Sequence, residues 1–180
     1  MQKLIHNIKG NLPILVNAVG FQLGWSIAVW AGDWPAILYT FCFLVIHFKF
    51  FSLQQEWIVV ATIVLVGIAI DSILAKLSIL QFEQSGVIIP VWLICIWVLY
   101  ATTLAHTLAW LKTQILLAAV LGAVFGPLAY YAGMAIIGKN IGLPLMQGLL
   151  LFSTIWAMLL PASIWWANCL VRNATSEQID

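Results

Sequence analysis

Long apolar stretches run through this chain, and its polar residues fall mainly in short breaks between them. Six stretches stand out, at about 12–31, 34–51, 57–75, 87–111, 115–137 and 144–171. A helix that crosses roughly 30 Å of hydrocarbon needs about 20 apolar residues, so each stretch is a candidate span. The breaks are Gly32-Asp33 and the segments 52–56, 76–86, 112–114 and 138–142. From 87 to 138 the apolar pattern is nearly continuous and as one helix would extend about 78 Å, so it must turn back. Its polar interruption is Leu-Lys-Thr-Gln at 111–114. No stretch alternates with the period of two that a membrane barrel strand requires. An isolated strand in lipid would also leave its backbone unsatisfied. The pattern predicts an all-α polytopic membrane protein, a bundle of about six transmembrane helices forming one domain over residues 1–180.

Composition places lipid in the solvent. Apolar residues make up 64% of the chain and charged residues 7%, against about a quarter charged in a soluble domain. A soluble catalytic module and a basic groove for nucleic acid are both excluded by that scarcity, so the partners expected are the lipid bilayer and either a second copy or another membrane protein. With the N-terminus inside, Lys3, Lys9, Lys49, Lys112 and Arg172 collect on the cytoplasmic side, and Lys76 and Lys139 on the other. This bias predicts cytoplasmic termini. Trp30, Trp34 and Trp92 then fall near the outer interface, and Trp57, Trp110, Trp165 and Trp166 near the inner one. The first stretch has small residues, Val29 and Ala31, before a conceivable cleavage position, but Asn17 and Gln22 interrupt it and it is too long for a simple signal core. It is therefore read as a retained span. Cys42, Cys95 and Cys169 lie inside spans with no paired spacing and read as small apolar residues.

Helix association in lipid depends on close approach and hydrogen bonding. Gly20, Gly24 and Ala28 form one small-residue stripe with Asn17. Ala118, Gly122 and Gly126 form another, which Ala129 and Gly133 extend. Pro127 should kink the fifth span and free a carbonyl for a new partner.

The polar residues inside the spans are Asn17, Gln22, His47, Asp71 and His106. Asp71 is flanked at i−4 and i+4 by Gly67 and Ala75, which turns it toward the bundle. An acid at that depth is a functional-site candidate unless it is paired, with Gln147, Ser72 or a backbone amine near the kink as expected partners. On a continuous fourth helix, Cys95, Leu99, Thr102, Thr103, His106 and Trp110 share a face. His47 lies at similar depth and Asn17 slightly deeper, while His6 is in the tail. These histidines have no i, i+3 or i, i+4 spacing and no carboxylate nearby in sequence, so no metal is expected. No motif calls for a cofactor, and the soluble hydrolase, metalloprotease and phosphate-loop signatures are absent.

Four phrases occur together: Phe-Gln-Leu-Gly-Trp at 21–25; Gly67 with Asp71, Ser72 and Leu74; Pro90, Trp92 and Trp97 through Thr103, Leu104, His106, Trp110 and Leu111; and Gly122, Gly126, Pro127, Leu128, Ala129 and Tyr130 with Gly133. In these the chain resembles the bacterial family catalogued as domain of unknown function 2878. The resemblance implies a multi-pass inner-membrane protein of proteobacterial type, from a family often encoded near lipid-modifying functions. It carries no catalytic residues over. The leading functional expectation is a non-enzymatic membrane protein that binds or moves a lipid-like or small apolar solute, or assists an envelope process. One alternative is a membrane-embedded lipid-modifying enzyme with His106 as acid/base, oriented by Thr103 or Asn17, and with Asp71 as a further catalytic candidate. The other is an assembly subunit that packs through its glycine stripes.

Overall fold

The computed structural model describes residues 2–82 and 89–176 and places the side chains of residues 12–82 and 89–171. Among these residues six α-helices follow one another: α1 (Gln2–Ala31), α2 (Asp33–Phe50), α3 (Glu56–Lys76), α4 (Val91–Thr103), α5 (Ile115–Ile136) and α6 (Leu145–Ser176), with a 3₁₀ segment at Ala109–Thr113. No strand is present among the described residues, apart from a single bridge between Leu80 and Ile141 that ties the α3–α4 connection to the α5–α6 connection. Among the described residues four helices are long and apolar enough to cross a membrane, in the windows Leu12–Ala31, Glu56–Lys76, Ile115–Ile136 and Leu145–Val171. Large apolar side chains stand exposed on every helix, Trp34 and Leu116 at 81% among them. Water would not tolerate so continuous a coat, and lipid does.

Helix α4 departs from its expected length. The apolar run predicts one helix over 87–111; its first residues, Val87 and Ile88, lie outside the described residues, and the helix itself ends at Thr103. Turns then lead into the 3₁₀ segment. The hydroxyls of Thr102 and Thr103 donate back to the carbonyls of Leu99 and Tyr100, at 2.8 and 2.6 Å. Such bonds compete with the helical ladder and favour its end. As a result His106 does not share a helical face with Leu99 and Thr102.

Packing divides the molecule in two. Helix α4 lies among α1, α2 and α3, whereas α5 and α6 form a closely packed hairpin that joins the rest chiefly through α6. The first stripe is filled from within the chain: a Cβ on Gly20 would strike the Phe43 ring, and one on Gly24 would strike Leu99 and Tyr39. In the hairpin, Gly122 and Gly126 lie against the backbone and ring of Trp156. Pro127 has no N–H for the Ala123 carbonyl, and Ser153 of α6 donates its hydroxyl to that carbonyl at 2.8 Å. Gly133 differs from its neighbours on the stripe. It is buried, yet a Cβ there would meet nothing within 4 Å.

Candidate functional site

Where the hairpin splays from α1 and α4, a cavity of about 350 Å³ remains. Aromatic rings form much of its wall, among them Phe21, Trp25, Trp92, Trp97, Tyr130 and Trp156. The rings hold one another: Trp97 and Trp156 stack with centroids 5.7 Å apart, and Tyr130 stacks on Phe152 at 4.5 Å. Phe125 and Leu128 on its rim are 61% and 54% exposed, so the cavity opens toward the lipid-facing surface. Gln22 supplies a polar edge, and Gly133 leaves space where a side chain would stand.

Asp71 stands behind this wall, fully buried. One carboxylate oxygen accepts the Trp97 indole N–H at 2.7 Å, and the other accepts the Tyr130 hydroxyl at 2.6 Å. Neither Gln147 nor Ser72 is its partner; the bonds go to two cavity-lining rings on α4 and α5. Gly67, one turn earlier, lets the Trp97 ring lie against the α3 backbone. The acid thus fixes the orientation of two rings, and charge-assisted bonds of this type are the stronger class.

A second polar centre lies at the α2–α3 turn, about 22 Å along α3 from Asp71 at 1.5 Å per residue. Glu56 opens α3 and is fully buried. Its carboxylate accepts the Leu53 N–H at 2.8 Å, which ties it to the turn before the helix. The same carboxylate meets two imidazoles: His47 Nε2 lies 2.8 Å from Oε1, and His106 Nε2 lies 3.2 Å from Oε2. The two rings meet edge to face at 4.9 Å, and the Phe43 ring stacks on His47 at 5.8 Å. Unwinding after Thr103 is what carries His106 to Glu56.

The remaining candidates form a third group. Asn17 is buried and donates to the Thr102 carbonyl and hydroxyl oxygens at 3.2 and 3.1 Å, while its own oxygen accepts the Thr107 hydroxyl at 2.7 Å. It clamps α1 to the end of α4. The Thr103 hydroxyl is spent on the Tyr100 carbonyl. The expected orienters of His106 are therefore bonded elsewhere, and Glu56 takes that place. Sequence reasoning passed over Glu56, Trp97 and Tyr130. An acid in the first turn of an apolar helix, nine residues after a histidine in a chain so poor in charge, is the signal that could have found Glu56. Cys42 is exposed, Cys95 buried and Cys169 half-buried, all as free thiols.

A family model described as "Protein of unknown function (DUF2878)" matches residues 14–162. No curated protein and no solved structure matches the chain.

Proposed function

Because the chain belongs to the DUF2878 family, whose activity is unknown, its function has to be read from its geometry, and we propose that it is a membrane-embedded binding protein for an apolar, lipid-like ligand. The observation that carries this reading is the aromatic cavity between α1, α4 and α5, with Asp71 bracing two of its rings. A concave, mostly apolar pocket with a few convergent polar groups is the usual form of a small-molecule site, and about 350 Å³ suits a chain segment or ring system better than a whole diacyl lipid. Its opening onto the lipid-facing surface would let such a ligand enter from the bilayer without crossing water. The Lys and Arg bias supports a bacterial inner-membrane setting with both termini cytoplasmic. In that frame the cavity lies in the outer half of the membrane and Glu56 near the inner face.

A brominated fatty acid tests the site, since bromine quenches nearby indoles and Trp25, Trp92, Trp97 and Trp156 all line the cavity. Quenching in detergent should saturate in the parent. Gly133→Leu, which fills open space, should lower affinity at least about tenfold at unchanged Tm, a loss of about 1.4 kcal/mol. Equal affinity in both proteins would refute the cavity as the binding site. Reporter fusions after Asp180 and at Lys76 test orientation; a C-terminus reported outside would reverse the assignment.

A further inference from the structure

We propose that His47, Glu56 and His106 form a binding site for one divalent transition-metal ion of the zinc type. The candidate ligand atoms all lie within 4.8 Å of one another. Two imidazole nitrogens and one carboxylate are a recurrent three-ligand set, which leaves a fourth position for water or another oxygen ligand.

Three observations carry the proposal. The first is distance. Around a tetrahedral ion with bonds of about 2.0–2.1 Å, neighbouring ligand atoms stand about 3.3 Å apart. The two contacts here, one to each oxygen of Glu56, are 2.8 and 3.2 Å, and the set with one atom from each residue stays within 4.8 Å, so side-chain rotation would bring it onto one ion. The second is charge. Glu56 is fully buried and His47 nearly so, and the ion pairs of Glu56 among the described residues are with the two histidines. With both rings neutral, the cluster holds a buried negative charge, which a divalent ion would offset directly. The third is the supporting shell. The Leu53 N–H bond fixes the carboxylate, and Phe43 stacked on His47 fixes a ring, as outer-shell contacts orient ligands in metal sites.

Binding needs no exotic chemistry. Facing an ionised carboxylate, each Nε2 carries the ring proton, because a carboxylate oxygen only accepts. In the metal-bound form each neutral ring holds its proton on Nδ1 instead, and the Nε2 lone pair goes to the ion. The ion would staple the end of α2, the start of α3 and the unwound segment after α4. The expectation of no metal rested on spacing along the chain, whereas the ligands come from three elements, 9 and 50 residues apart.

The test is titration of the detergent-purified protein, carrying a tag free of histidine, with Zn²⁺ and Co²⁺. One saturable site per chain is expected, with the visible absorption of cobalt in a nitrogen and oxygen ligand field. His47→Ala and His106→Ala should each weaken binding by more than about 100-fold, beyond the 10–100-fold that an outer-shell loss costs, and Cys169→Ser should leave it unchanged. Absence of saturable binding, or undiminished affinity in both histidine variants, would overturn the site. Should a variant fold poorly, the parent's cobalt spectrum decides: a thiolate charge-transfer band would place the ion on cysteine and refute the assignment, whereas one ion per chain without that band supports it.

Discussion

Helix α3 carries two fully buried carboxylates, Glu56 at its start and Asp71 toward its far end, and their surroundings give them opposite chemistry. Asp71 accepts from an indole N–H and a phenol, groups that keep their protons throughout the physiological range. Glu56 faces two imidazoles, whose ring nitrogens are common metal ligands. The first arrangement fixes geometry: it holds Trp97 and Tyr130 in place as parts of a cavity wall. The second can exchange what lies at its centre, a proton for a metal ion. A buried acid is thus defined by whether its donors can give up their protons, more than by its depth in the membrane.

The largest effect expected at either acid comes from Asp71→Leu. It removes both acceptors, leaving the Trp97 N–H and Tyr130 O–H unsatisfied at about 1–3 kcal/mol each. Thermal unfolding in detergent should show a Tm well below the parent's, and bromolipid quenching should lose its saturable phase because the two rings are released. An unchanged Tm would mean that Asp71 does not brace the wall.

Zinc should act on the other acid alone. At about 100 times its dissociation constant, an ion that binds only the folded state stabilises it by about 2.7 kcal/mol. The parent's Tm should therefore rise with Zn²⁺ and fall back with EDTA, while His106→Ala should not respond. Asp71→Asn should respond as the parent does. A zinc response that follows Asp71 instead would place the ion at the wrong end of α3.

The sequence made one of these acids legible and hid the other for a physical reason. Gly67 and Ala75 at i−4 and i+4 mark the face on which Asp71 is buried, since small residues mark where helices approach. Its partners were out of reach of local reasoning, lying 26 and 59 residues away. Glu56 sits in a polar break, where an acid reads as solvated, and becomes buried only because His47 and His106 close over it. His106 reaches it because α4 ends at Thr103, and hydropathy is blind to that end: the apolar run continues while Thr102 and Thr103 turn their hydroxyls onto the backbone. The all-helical fold and the carbonyl freed by Pro127 followed from residue type and local spacing. Long-range closure did not.

Within the α5–α6 hairpin, two glycines of one stripe should separate packing from binding. Leucine at Gly126 would drive into the Trp156 ring, and overpacking of this kind costs about 1–3 kcal/mol. A Cβ at Gly133 would meet nothing within 4 Å, so leucine there should leave Tm unchanged while excluding the ligand. Equal destabilisation by Gly126→Leu and Gly133→Leu would show that the cavity is closed in the folded protein in detergent.

The smallest expected effect belongs to Asp71→Asn, and it separates a bracing acid from one that acts through its charge. The asparagine carbonyl can accept the Trp97 N–H, which only donates. Its amide can donate to Tyr130, whose hydroxyl both donates and accepts. One amide hydrogen and the Tyr130 hydroxyl hydrogen are left without acceptors, so the cost should be about 1 kcal/mol for each, the lower end for an unsatisfied buried group. Both rings stay in place, and bromolipid affinity should remain within about threefold of the parent, or about 0.65 kcal/mol. Were the carboxylate instead to carry a proton or attract a cation for the ligand, the same variant would fold equally well yet lose binding, because only its charge has changed. Parent-like Tm with lost quenching would transfer Asp71 from the wall of the cavity to its chemistry.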